Sequence, residues 1–110
     1  MTAVIYARYS SDSQREASIE GQLRDCKDYA EHNGIAIVGT YIDRAYSAKT
    51  DDRPEFQRMV QDSAKKIFDA VLVWKLDRFA RNRYDAVFYK RQLEKNSVHL
   101  VSVMEPVSSG

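Results

Sequence analysis

The sequence predicts an α/β domain, a mainly parallel sheet of four or five strands with helices on both faces. Three observations predict it. Short apolar runs alternate with helical stripes in the order βαβαβαβ, an order that calls for a parallel sheet and right-handed crossovers. The first run, Val4-Ile5-Tyr6, is continuous, as in strands buried on both sides. The chain is 110 residues long, 44% hydrophobic and 30% charged, enough for one domain with one core.

The elements follow in order. Ala3 to Tyr9 reads as the first strand. A loop separates it from a helix whose apolar positions are Ile19, Leu23, Cys26 and Ala30, with Ser18 as N-cap and Asn33-Gly34 as the stop. Ile35 to Ile42 is the second strand, in which Gly39 marks a bulge, and Asp43 to Arg53 is a polar loop without periodicity. Pro54 suits the first position of a helix carrying Phe56, Met59, Val60 and Ala64 on one side. Ala70 to Trp74 is the third strand. After LDRFARN comes a helix from Tyr84 to Lys95 through Val87, Phe88 and Leu93, and Val98 to Met104 is the fourth strand. The final EPVSSG loses all pattern, as a linker into a further part would.

Composition narrows the function. No run approaches the roughly 18 apolar residues of a membrane span and no secretory leader is visible, so the expected compartment is the cytoplasm and no membrane partner is expected. Cys26 is the single cysteine and His32 and His99 the only histidines, too few for a zinc cluster; Cys26 is assigned to core packing. Net charge is only +1, whereas proteins that grip duplex DNA unaided carry a basic excess. The charge is unevenly spread. From Lys75 to Lys95 seven basic residues face three acidic ones, +4, which leaves −3 for the rest.

Open parallel sheets bind ligands beyond the carboxyl ends of their strands. The loops there hold Arg8, Ser10 and Ser11, then Asp43, Ser47 and Arg53, then Lys75, Asp77, Arg78 and Arg81. Because side chains alternate along a strand, Arg8 and Ser10 share a face if the strand extends that far, and Ser11 turns elsewhere. A Ser-His-Asp hydrolase is excluded by topology, since His32 and His99 both belong to the opposite edge of the sheet. Guanidinium groups pair with phosphate oxygens, so the arginines point to a phosphate ester, with their charge stabilising the transition state around a serine nucleophile. No metal or other cofactor is expected: Asp43 and Asp77 are read as ion-paired orienters, with joint binding of a magnesium ion as the alternative. Trp74 and Phe79 are assigned to packing at a strand end, and Tyr29, Tyr41 and Tyr89 to helix or strand surfaces. A non-catalytic module that holds phosphate or a nucleotide in a doubly wound fold is the competing reading.

The blocks YARYSSDSQ, SIEGQL, YIDRAYSAKTDDRPEFQRM and VLVWKLDRFARN, in this order, resemble the catalytic domain of serine site-specific recombinases, the resolvase/invertase family, and most closely its large members. The resemblance spans essentially the whole chain. It implies a resolvase-like catalytic domain in which Ser10 attacks a DNA phosphodiester to give a 5′-phosphoserine link, followed by strand exchange and religation. Arg8, Arg53, Arg78 and Arg81 would bind the scissile phosphate, and Gln22, Asp43, Ser47 and Asp77 would orient those groups. Ala48 stands where small resolvases commonly have glycine. The implied partners are recombination-site DNA and further copies of the chain, dimer to tetramer, with a dimerisation helix and a DNA-binding domain beyond Gly110.

Overall fold

The computed structural model describes residues 1–10, 18–45, 53–80 and 82–105, and the side chains of all of these except 9, 10 and 45. Strand β1 (Thr2–Ser10) is followed by α1 (Ile19–His32), β2 (Ala36–Ala45), α2 (Pro54–Asp62), a 3-10 turn (Ser63–Lys65), β3 (Ala70–Val73), α3 (Leu76–Phe79), α4 (Arg83–Lys95) and β4 (His99–Ser102). The four strands form one parallel sheet in the order β2-β1-β3-β4. The predicted class and element order hold.

Alternation along the central strands divides the core in two. Val4, Tyr6, Val71 and Val73 face α2 and α4 through Phe56, Met59 and Leu93, whereas Ala3, Ile5, Ala70 and Leu72 face α1 through Cys26 and Ala30. Phe56 is the centre of the first half. Its ring meets Tyr6 at 5.2 Å, Phe79 at 5.2 Å and Tyr89 at 4.8 Å, all edge to face, each pair contributing about 0.5–1.5 kcal/mol beyond the buried area.

Local signals set the helix ends. Ser18 Oγ accepts from the Gly21 N–H at 3.1 Å, and Asn33 closes α1 ahead of Gly34, whose φ of 66° is strained for a residue with a Cβ. Pro54 opens α2. The expected bulge is present: the β1–β2 register steps from Ala3↔Ile37 to Val4↔Gly39, which leaves Val38 as the extra residue.

Several boundaries move. β2 continues past Ile42 to Ala45 because β1 itself reaches Ser10 and supplies a ladder that far, so Asp43 lies inside a strand. β3 stops at Val73 and β4 spans only His99–Ser102, the residues that pair with it. The segment LDRF, read as loop, forms the one-turn helix α3. Ala64 leaves the apolar stripe of α2, since the helix tightens into a 3-10 turn and turns it to solvent. On α4 the side facing the sheet is Ala86, Tyr89 and Leu93, and Val87 and Phe88 are 49% and 50% exposed. Tyr41, assigned to a surface, is buried with its hydroxyl on Asp62 at 2.7 Å.

Candidate active site

The strands end at different heights. β1 and β3 pair only as far as Tyr6↔Val73, while β1 and β2 continue together to Ser10↔Ala45. The result is a step at the carboxyl end of the sheet, with Arg8 on its riser and Asp43 opposite Arg8 in register. Where β3 has ended, the Arg8 main chain is met by a side chain: its N–H donates to Gln22 Oε1 at 3.3 Å, and Gln22 Nε2 donates to its carbonyl at 3.0 Å. Gln22 is fully buried, and a buried amide that satisfies both main-chain groups of one residue fixes that residue in place.

Asp43 is buried and takes three hydrogen bonds. The Tyr6 hydroxyl donates to Oδ2 at 2.9 Å, the Phe56 N–H to Oδ2 at 3.0 Å and the Glu55 N–H to Oδ1 at 3.0 Å. Two of these are first-turn donors of α2, whose own N-cap residue, Arg53, supplies no capping side chain. The carboxylate thus caps α2 from the neighbouring strand, satisfying donors that a helix start leaves open. Burial first, then the negative charge of Asp43, pushes the Tyr6 hydroxyl far up, so it stays a donor.

Capping places Arg53, itself buried, where its guanidinium lies 4.0 Å above the Phe56 ring and Nη1 donates to the Phe79 carbonyl at 2.6 Å. Arg8 Nη2 donates to the Asp77 carbonyl at 2.6 Å. Both acceptors are carbonyls of α3, which as part of a one-turn helix lack partners further along. Arg78, on the same turn, is buried, with Nη1 3.6 Å from Asp77 Oδ1 and its guanidinium 5.9 Å from the Trp74 ring centre. The Asp77 side chain is 54% exposed.

Three guanidinium groups therefore converge from three chain segments. Burial depresses the Arg8 guanidinium below its usual value, and the charges of Arg53 and Arg78 add to the effect against the opposing pull of Asp77. An arginine so placed still carries its proton. A partly buried cationic cluster attracts a phosphate diester, whose negative charge relieves the repulsion among the three groups.

Of the residues singled out from sequence, the fold brings Arg8, Gln22, Asp43, Arg53, Asp77 and Arg78 to this one edge. The main chain of Ser10 reaches it as the last residue of β1. Ser11, Ser47 and Arg81 lie outside the described residues. Both histidines are remote, as expected: His99 pairs with Ala70 at the start of β3, and His32 ends α1 with its ring Nδ1 2.8 Å from the Asp28 carbonyl. Phe79 is core, and Trp74 donates its indole N–H to Asp25 Oδ2 at 2.9 Å. Cys26 is buried in the α1 layer. Among the described residues no three His, Cys, Asp or Glu side chains form a metal-binding group. Sequence reasoning missed Tyr6, counted as one more apolar strand residue; its place two residues before Arg8, inside β1, was the available signal.

The family "Resolvase, N terminal domain" matches residues 3–109. The chain belongs to the resolvase family. Among solved structures, the N-terminal catalytic domain of TP901-1 integrase is 35% identical with a TM-score of 0.82, over 94% of this chain and 77% of that one. A resolvase family site-specific recombinase from Streptococcus pneumoniae is 34% identical with a TM-score of 0.84, over 97% and 74%. The C-terminal catalytic domain of ISC1926 TnpA, an IS607-like serine recombinase, is 25% identical with a TM-score of 0.79, over 96% and 72%. Curated protein sequences return no significant match. This resolvase-family chain is a serine recombinase catalytic domain, an enzyme of site-specific DNA recombination, and the reading as a passive phosphate-binding module is not favoured. No described helix is long and apolar enough to cross a membrane.

Proposed function

We propose that Ser10 is the nucleophile of this recombinase and that Arg8, Arg53, Arg78 and Arg81 hold and activate the scissile phosphate. The convergence of Arg8, Arg53 and Arg78 at the end of the strand that carries Ser10 supports the reading above all else. Ser10 Oγ attacks phosphorus, the bond to the 3′ oxygen breaks, and a 5′-phosphoserine link and a free 3′-hydroxyl result. Religation is the reverse attack by a 3′-hydroxyl, which spends the energy held in the link. The guanidinium groups stabilise the charge that builds on the non-bridging oxygens. Gln22 fixes Arg8, Asp43 fixes the start of α2 and with it Arg53, and Asp77 and Ser47 act in orientation.

The proposed partners are recombination-site DNA and further copies of the chain, from dimer to tetramer, in the cytoplasm. Recognition of a particular site is assigned to a DNA-binding part beyond residue 110, joined through a dimerisation helix, consistent with the net charge of only +1.

The assignment of the nucleophile is tested with the two adjacent serines. In the active recombinase, on DNA nicked so as to trap the intermediate, Ser10→Ala is expected to give no covalent protein–DNA adduct and Ser11→Ala to retain it. Mapping of the adduct to Ser11, or an undiminished adduct in Ser10→Ala, would overturn the assignment.

A further inference from the structure

We propose that Glu105 is a positioning residue for the arginine cluster, acting at a distance by holding the one-turn helix α3 in place. The inference rests on the reading of Arg8, Arg53 and Arg78 as the phosphate site.

Helix α3 has little stability of its own. It is four residues long, and a single turn does not recover the cost of helix nucleation. Yet it carries Arg78, and its Asp77 and Phe79 carbonyls are the acceptors that hold Arg8 and Arg53. Whatever fixes this turn fixes three cations at once.

The C-terminal end of α3 is held by those two arginines, and the other end needs a separate partner. Lys75, at its N-cap position, makes no side-chain cap bond. The Leu76 N–H donates instead to Glu105 Oε1 at 2.8 Å, and the Ser102 hydroxyl donates to the same oxygen at 2.7 Å. Glu105 thus performs, from beyond β4, the task that an N-cap side chain performs locally. Its reach is explained by the chain around it. The β3–β4 ladder ends at Val73↔Ser102, but the Val103 N–H continues to the Val73 carbonyl at 2.9 Å and the Met104 N–H to the Trp74 carbonyl at 3.1 Å. These two bonds carry Glu105 alongside Leu76. The same hydrogen bonds hold the Glu105 carboxyl below the usual carboxylate range, so it is ionised, and a carboxylate at the start of α3 opposes the guanidinium groups at its end in the favourable sense.

The test compares Glu105→Ala, Glu105→Gln and Arg78→Ala in the active recombinase. It reads the rate of covalent adduct formation at saturating site DNA, the Kd for that DNA and the melting temperature. Glu105→Ala is expected to slow adduct formation tenfold or more with Kd within twofold of wild type. Glu105→Gln keeps an oxygen for the Leu76 N–H and is expected to stay within threefold in rate. A wild-type rate in Glu105→Ala, a loss of rate explained entirely by the unfolded fraction, or a glutamine variant as slow as the alanine one would overturn the proposal. If Glu105→Ala fails to fold, Ser102→Ala, which removes one of the two donors, is read in its place; a two- to fivefold slowing supports the proposal and a wild-type rate overturns it. Arg78→Ala separates the two levels. Full activity there removes the phosphate-site reading itself, whereas a slow Arg78→Ala beside a wild-type Glu105→Ala removes only the role of Glu105.

Discussion

The β2–α2 corner and the β3–α3 corner each bring one aspartate and one arginine to the carboxyl edge of the sheet, and they use them in opposite ways. At the first corner the acid does the holding: Asp43 is buried, takes three hydrogen bonds and caps α2, so that Arg53 emerges at a fixed point. At the second the main chain does the holding. The Asp77 and Phe79 carbonyls bind Arg8 and Arg53, and the Asp77 carboxylate stands largely in solvent beside Arg78. Two residue pairs that look alike in sequence thus divide into a scaffold, where the acid is part of the fold, and a working edge, where the acid can meet a substrate.

The largest effects are expected where a cation is lost at the working edge. Arg8→Ala and Arg78→Ala, and by its proposed role Arg81→Ala, should each lower single-turnover cleavage by two or more orders of magnitude, about 3 kcal/mol of transition-state stabilisation. Arg78→Lys should recover only part of it, because an ammonium group cannot make the two-pronged contact. Wild-type cleavage by Arg78→Lys would erase the distinction between the two corners.

Substituting the two acids sharpens the comparison directly. Asp43→Ala strands the Tyr6 hydroxyl and two first-turn N–H groups of α2, and is expected to cost about 2–3 kcal/mol of stability in denaturant melts. Asp77→Ala removes a half-exposed carboxylate 3.6 Å from the buried Arg78 guanidinium and should cost no more than about 1 kcal/mol, with its main effect on cleavage. Equal losses of stability would show that both acids belong to the scaffold.

The smallest effect separates the layers behind the corners at alkaline pH. Cys26, in the α1 layer next to Asp25 and hence to Trp74, has its thiol pushed up from 9.0 to about 12, by burial first and by Asp25 second. Tyr41, behind α2, is pushed up from 10.0 to about 12 by burial and then by its hydrogen bond to Asp62. In both the neutral form is favoured by folding, so the contribution to stability is complete below the unfolded value and is lost as pH rises towards the folded one. Loss should begin above pH 9 in the α1 layer and about one unit later behind α2. Cys26→Ala should accordingly flatten the fall in melting temperature between pH 8.5 and 9.5, and an unchanged slope would count against the assignment.

Much of the site was legible because parallel topology turns chain order into place. Once Arg8, Asp43 and Arg78 are assigned near the ends of three strands, they must share an edge. Helix ends were equally local: Ser18, Asn33 and Pro54 act through bonds or backbone restrictions within a turn or so of themselves. The outward face of α4 was misread for the opposite reason. Val87 and Phe88 fit an apolar stripe as well as Ala86 and Tyr89 do, and only the docking angle of the helix chooses between them.

The sequence by itself determined the order of elements, the sheet edge that gathers the arginines and the exclusion of both histidines, since each follows from periodicity, local caps and the rule that parallel strands point one way. Tertiary structure alone decided how far β1 and β2 run past β3, that Asp43 is a cap for α2, that Gln22 grips the Arg8 backbone, and that a one-turn helix between Glu105 and two arginines forms at all. Those outcomes depend on hydrogen bonds between groups 12 to 69 residues apart, and on three guanidinium charges brought close enough to act on one another. No window of sequence contains such terms; they arise only when the sheet has assembled and placed its partners side by side.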